Sequence, residues 1–359
     1  MAHKEIYDHR EEKNDRGKVK FMRKLSFGLE IHPYYDAKTV LREIELAERL
    51  EYDQVWIGDS QSIWRELYVL LGAAANATSR VYLGSGVTNP VTRVPAVTAS
   101  ALVTLHELSA GRMILGVGSG YSSVQTVGMK ASTLAELESF IGQIRDLCRG
   151  NTVQGTSHEM RLGFGGVDKC PPIFVAASGP KMLRLAGRVG DGAILARVSL
   201  KGDVLKRMLE CVNEGRQQRT IAADSFKICA ALPVCVDADR QKAIAAVRPH
   251  VARSLITPLW EFSPEAVEAG KKLERLYDCY DHLNPTAPHA QAVPDTVVPE
   301  FSIAGTAAEC IEQVARVLEM GVDQITIRPY GADGSSRSAT IESFALEVMK
   351  PFCAGSTGH

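Results

Sequence analysis

No apolar run in these 359 residues approaches the roughly 18 to 20 needed to cross a bilayer; the longest candidate, Leu67 to Ala77, is short and carries small residues inside it. Membrane insertion is set aside on that ground. Positive charge is not in excess either: the formal net charge is −1, which provides no global field to hold a polyanion such as nucleic acid. None of the eight cysteines forms a C-x-x-C pair, so a redox dithiol or a structural zinc site is not expected and the cysteines read as reduced, mostly buried small residues. The first 24 residues hold thirteen charges of both signs without the apolar core of an export signal, and a cytoplasmic location is expected. Nothing has the spacing of a metal cluster, a nucleophile elbow or a basic aromatic patch.

What is present is the composition of a globular chain, 45% hydrophobic and 23% charged, with a steady alternation of short apolar runs and amphipathic segments. Strands are expected at residues 25–31, 54–57, 81–83, 113–117, 173–176, 193–195, 226–236 and 322–327, with helices following at 36–50, 64–77, 96–108, 134–148, 181–189, 201–217, 240–256 and 341–349 and a further helix at 307–320. Strict alternation demands parallel strands, because each crossover returns the chain to the same end. An open doubly wound sheet would carry G-x-G-x-x-G after its first strand, whereas this chain has His32-Pro33-Tyr34-Tyr35 there. The expected fold is therefore α/β, a (β/α)8 TIM barrel with insertions at the carboxyl end of the strands. Residues 1–24 are expected to form a flexible charged arm, 25–353 a single barrel domain, and 354–359 a flexible tail. Residues 150–171 read as an insertion, and 257–300, with six prolines, as an excursion that serves as a lid.

In such barrels the reacting groups lie in the loops that follow the strands. Those loops are rich in glycine and hydroxyl residues here. Strand three runs into Ser85-Gly86-Val87-Thr88, strand four into Gly118-Ser119-Gly120-Tyr121-Ser122-Ser123, and strand five into Ala177-Ser178-Gly179-Pro180. Glycines let a planar ring or a phosphate approach the backbone, and hydroxyls add donors; the same glycines also serve ordinary βα turns. Where Tyr121-Ser122-Ser123 and Ser178-Gly179-Pro180 precede helices, an anion grip is expected.

The stretch Gly86-Val87-Thr88-Asn89-Pro90-Val91-Thr92-Arg93-Val94-Pro95-Ala96-Val97-Thr98-Ala99-Ser100 resembles the strand-three signature of the bacterial-luciferase-like family, above all its methylenetetrahydromethanopterin reductase branch. Ser109-Ala110-Gly111-Arg112, Gly190-Asp191-Gly192, Phe301 to Thr306 and Gly321 to Ile325 extend the likeness from about Leu25 to about Pro351. The resemblance implies an oxidoreductase barrel that binds FMN or the deazaflavin coenzyme F-420, with a non-prolyl cis peptide at Gly86-Val87 behind the ring. It also implies a small-molecule substrate and a homo-oligomer. Two departures stand out: Asp59-Ser60 replaces that branch's Asp-His, and Tyr121-Ser122-Ser123 replaces its acidic turn. Asp59 is then the first candidate for handling a proton or orienting a substrate, with a helix N-cap near Ile63 as its alternative; His32, with Glu30 beside it, is the second, with a structural role as its alternative. Arg328-Pro329-Tyr330-Gly331 after the last strand is a candidate contact for a cofactor tail or an acidic substrate group, with a capped turn as its equal alternative. The missing histidine at Ser60 favours reduced FMN with dioxygen, a monooxygenase supplied by a separate flavin reductase. F-420-dependent hydride transfer is the alternative, and a non-catalytic flavin-binding barrel is the third possibility.

Overall fold

In the barrel strands, side chains at alternate positions face the helices and the lumen, and this period of two divides the interior into two cores. The computed structural model describes residues 10–13, 19–22, 25–219, 225–256, 259–284 and 286–353. Eight parallel strands close on themselves: β1 (Ser26–Ile31), β2 (Gln54–Ile57), β3 (Tyr82–Ser85), β4 (Met113–Val117), β5 (Ile173–Ala177), β6 (Gly192–Leu195), β7 (Lys227–Val236) and β8 (Gln324–Pro329). Each pairs with the next, and β8 pairs with β1 in the register Ile327 to Leu29, which closes the TIM barrel.

The outward positions Phe27, Leu29 and Ile31 pack with Val40, Ile44 and Ala47 of helix α1 (Ala37–Arg49), and the same pattern runs around the ring. Helices α2 (Leu67–Ala77), α3 (Pro95–Leu108), α4 (Leu134–Cys148), α5 (Pro180–Val189), α6 (Val204–Gln217) and α7 (Arg240–Leu255) follow their strands in order. The lumen holds a smaller core of Trp56, Ile114, Phe174, Ile194, Cys229 and Ala231, with Val87 and Ala176 resting on it. Its two large rings require empty neighbours. A Cβ on Gly84 would lie 2.4 Å from the Trp56 ring, and one on Gly192 would lie 2.3 Å from Phe174.

The region expected as an insertion after α4 contains a short antiparallel pair, Val153–Gln154 with Glu159–Met160. Between α7 and β8 the chain makes helix Pro264–Leu273, short turns at Pro288–Gln291 and Val298–Phe301, a strand Ile303–Gly305 added to the end of β7, and helix Ala307–Glu319. The prolines that interrupt the helical rhythm here begin short helices, where the missing N–H leaves no partner unsatisfied. After β8 a helical run from Arg337 to Cys353 closes the barrel. Of the arm expected over residues 1–24, Arg10–Lys13 and Val19–Met22 pair as antiparallel strands; its other residues lie outside the described residues, as does the tail 354–359. No helix among the described residues is long and apolar enough to cross a membrane.

Candidate active site at the carboxyl end of the strands

The Gly86–Val87 peptide is cis, as the strand-three signature implied. Both residues are half-buried at the top of the lumen core. A Cβ on Gly86 would meet Trp56 Cβ at 2.9 Å and Glu30 Cγ at 3.5 Å, and one on Gly118 would meet Val87 at 3.2 Å. The bulge thus fits because its neighbours on β3 and β4 lack side chains. Ser85 faces away from the mouth: its hydroxyl donates to the Gly116 carbonyl at 2.7 Å and accepts from the Gly116 amide at 3.0 Å, tying β3 to β4.

Asp59 is buried with both oxygens engaged. Thr88 Oγ1 donates to it at 2.8 Å, and Arg93 forks across it with two contacts of 3.3 Å. Arg93 also pairs with Glu66 and lies 4.5 Å over the Tyr68 ring. The N-cap of α2 is Glu66, so Asp59 is neither that cap nor an open carboxylate. Ser60 and Ser122 share a hydrogen bond of 2.7 Å, and Asn89 donates to Ser123 Oγ at 3.1 Å. Ser122 and Ser123 are thereby buried within the protein, while Tyr121 lies half-buried beneath the Arg253 guanidinium at 3.7 Å. Ala177 ends β5 in the core, and Ser178, Gly179 and Pro180 are half-buried at the start of α5, whose N-cap Gly179 provides no side chain. The excursion covers this edge: Trp260 Nε1 donates to the Ser178 carbonyl at 2.7 Å, and Leu259 lies 3.6 Å from the space above Gly179.

A polar network stands on the other side of the mouth. Glu30, at the end of β1, accepts from His32 Nε2 at 3.1 Å and pairs with Arg328 of β8 at 2.8 Å. Burial alone would raise the Glu30 carboxyl, but Arg328 and His32 outweigh it and hold it below the usual range. An ionised carboxylate only accepts, so His32 carries its proton on Nε2 and presents a lone pair on Nδ1. The ring stacks on Trp64 at 4.7 Å, and Arg337 holds the His32 carbonyl at 2.6 Å. Burial lowers the His32 pKa, partly offset by Glu30. Arg328 donates to His250 Nε2 at 3.0 Å, which places the His250 proton on Nδ1, 3.3 Å from the Tyr330 hydroxyl. His250 is buried beside this cation and stays neutral far below its ordinary pKa. His282, from the excursion, bonds Tyr277, lies 6.1 Å from the Trp64 ring and is likewise depressed by burial.

The structure therefore brings His32, Gly86, Val87, Gly118 and Tyr121 to one mouth, and turns Ser85, Thr88, Asp59, Ser122 and Ser123 to partners inside the protein. Sequence reasoning missed Trp64, Arg93, His250 and His282, and left Arg328 between a ligand contact and a capped turn; it faces Glu30 and His250. Period two puts Glu30 and His32 on one face of β1, and the pairing of first and last strands puts Arg328 beside them; both signals were present once the barrel was assumed. Trp64 Nε1 and Gln61 Oε1 are buried without a partner at this mouth. Unsatisfied polar atoms beside a half-buried apolar floor suit a planar heterocycle with polar edges.

Comparison with known proteins gives the chain a family. The family described as "Luciferase-like monooxygenase" matches residues 22–324. The 5,10-methylenetetrahydromethanopterin reductase of Archaeoglobus fulgidus is 31% identical over 344 residues, covering 90% of this chain and 99% of the relative. The F420-dependent glucose-6-phosphate dehydrogenase of Beutenbergia cavernae is 30% identical over 323 residues, covering 85% and 90%. The solved coenzyme F420-dependent tetrahydromethanopterin reductase of Methanopyrus kandleri superposes with a TM-score of 0.76 at 24% identity, over 92% of this chain and 99% of that one. These relatives overturn the expectation of an oxygen-activating monooxygenase using reduced FMN. The Beutenbergia and Methanopyrus proteins are F420-dependent, and a deazaflavin has carbon where a flavin has the nitrogen that supports oxygen chemistry, so it serves as a hydride carrier. The separate flavin reductase, invoked only for that chemistry, falls with it.

Proposed function

From the premise that this chain belongs to the luciferase-like family and is an oxidoreductase of the flavin and deazaflavin class, we propose that it is an F420-dependent reductase or dehydrogenase acting on a small alcohol or carbonyl compound. What carries the reading is the likeness to F420-dependent relatives along most of the chain, and the Gly86–Val87 floor with its unsatisfied neighbours is compatible with it. When bound, the deazaflavin supplies a hydride donor or acceptor. Gly86, Val87 and Gly118 would flank its ring, whereas Ala177, expected there from the sequence, packs in the outer core. Its anionic tail would meet the amides at the start of α5 around Ser178-Gly179-Pro180, where a helix amino end without a side-chain cap favours negative charge. Residues 259–300, packed across that edge through Trp260, would serve as the lid.

The experiment is an anaerobic titration with F420 and with FMN, followed by assays of hydride exchange with glucose 6-phosphate and simple alcohols. Saturable binding of F420 with turnover is expected, and binding of FMN in preference to F420 would overturn the reading. Ser178→Asp, which sets a carboxylate beside the anion, should weaken F420 binding by an order of magnitude or more; unchanged affinity would move the tail elsewhere. A homo-oligomer belongs to the same reading, with Val69, Val94 and Val97 exposed on and beside α2 and α3. A single species of 39.0 kDa in sedimentation would remove it.

A further inference from the structure

We propose that Glu30 and His32 form the acid–base pair of this site, with Nδ1 of His32 taking the proton from a substrate hydroxyl as the adjoining carbon is oxidised and returning it in reverse. The inference rests on the reading of the protein as a hydride-transfer oxidoreductase. The other candidate proton acceptors near the mouth are committed. Both oxygens of Asp59 are held by Thr88 and Arg93, the Ser60 hydroxyl is bound to Ser122, and His250 Nε2 is closed by Arg328. His282 meets Tyr277 rather than a carboxylate. Of these three histidines, only His32 has a carboxylate behind it, at 3.1 Å, and that carboxylate is kept ionised by Arg328 at 2.8 Å.

Position supports the chemistry. Glu30 Cγ stands 3.5 Å from where a Gly86 Cβ would lie, so the pair adjoins the cis bulge, and Trp64 fixes the imidazole plane at 4.7 Å. A neutral imidazole whose Nε2–H is fixed by a carboxylate is a base at its other nitrogen, and the carboxylate stabilises the imidazolium that forms. In alcohol oxidation the C–H and O–H bonds break and a C=O bond forms. The hydride, with both electrons, leaves to the oxidised deazaflavin, and the proton passes to His32 Nδ1. The charged and titratable groups around His32 are Glu30, Arg328, Arg337, His250 and His282; the two guanidinium groups favour its neutral form and Glu30 opposes them.

Long-range 1H–15N NMR of histidine-labelled apoprotein reads the tautomer without any cofactor. A proton on Nε2 and a bare Nδ1 are expected, with Glu30→Gln changing the tautomer ratio and lowering the His32 pKa. A proton on Nδ1 in the wild type, or a Glu30→Gln spectrum unchanged at His32, would overturn the pair. In oxidation of 2-propanol by F420, His32→Gln should lower kcat by ~100-fold or more while F420 affinity holds and the acid limb of the pH profile disappears. A kcat close to wild type would overturn the assignment. A wild-type protein that does not bind F420 sinks the functional reading instead, and the NMR result alone then decides the pair.

Discussion

Arg337 illustrates how much of the site is held by single side chains. Its guanidinium forks onto buried Glu43 at 2.7 and 2.6 Å and reaches the His32 carbonyl with its third nitrogen. Removing one member of such a pair leaves the other charge buried and unpaired, so Arg337→Met should cost ~3–5 kcal/mol. Urea unfolding checks this, and the double change Arg337→Met with Glu43→Leu should recover most of the loss; a double variant as unstable as the single one would show that packing, not charge, is at stake. Gly116 tests the backbone side. A Cβ there would stand 2.0 Å from the Ser85 carbonyl, so Gly116→Ala must push β3 and β4 apart at a cost of ~1–3 kcal/mol or more, read as a lower urea midpoint. At this scale the sequence was only partly legible. Gly86 and His32 announced themselves by type and place. Asp59 did not reveal that Arg93, 34 residues on, would occupy it, because a side chain's partner depends on packing across elements rather than on local pattern.

Elements were read more easily than side chains, because periodicity and caps are local. The T-x-x-E pattern at Thr133 and at Thr306 gives a reciprocal capping box in each case. Thr306→Ala should therefore destabilise the protein by about 1 kcal/mol, measurable as a lower urea midpoint, and an unchanged midpoint would mean that other contacts hold the start of that helix. Strand three was expected at 81–83 and runs from Tyr82 to Ser85. Its extension comes from the ladder with β2, which pairs Trp56 with Gly84 and Ile57 with Ser85, a nonlocal interaction that propensity does not report. The excursion after α7 was recognised by its prolines, but the accessory strand Ile303–Gly305 was not anticipated. Three residues added to the overhanging end of β7 carry too little pattern to be seen alone.

For the whole molecule the buried histidines set an acid boundary. His32, His250 and His282 all have pKa values depressed from an ordinary 6.5 by burial. Below 6.5 the unfolded chain binds protons that the folded chain refuses, so folding stability is fully present above that pH and declines as pH falls toward the folded values. Urea midpoints taken above and below 6.5 should show this decline, and His250→Phe should blunt it; a flat profile would mean the network admits protons without unfolding. The Glu30–Arg328 pair has one more consequence. It lies where the last strand closes on the first, between residues almost three hundred positions apart. Of the chain contacts that make the mouth, this one has among the largest loop-closure demands, so it forms only when the ring shuts. During synthesis a chain with seven strands emerged has the floor at Gly86 and the lone imidazole at His32 but no cation behind Glu30, and the proton-handling half of the site comes into being only as the ring itself is completed.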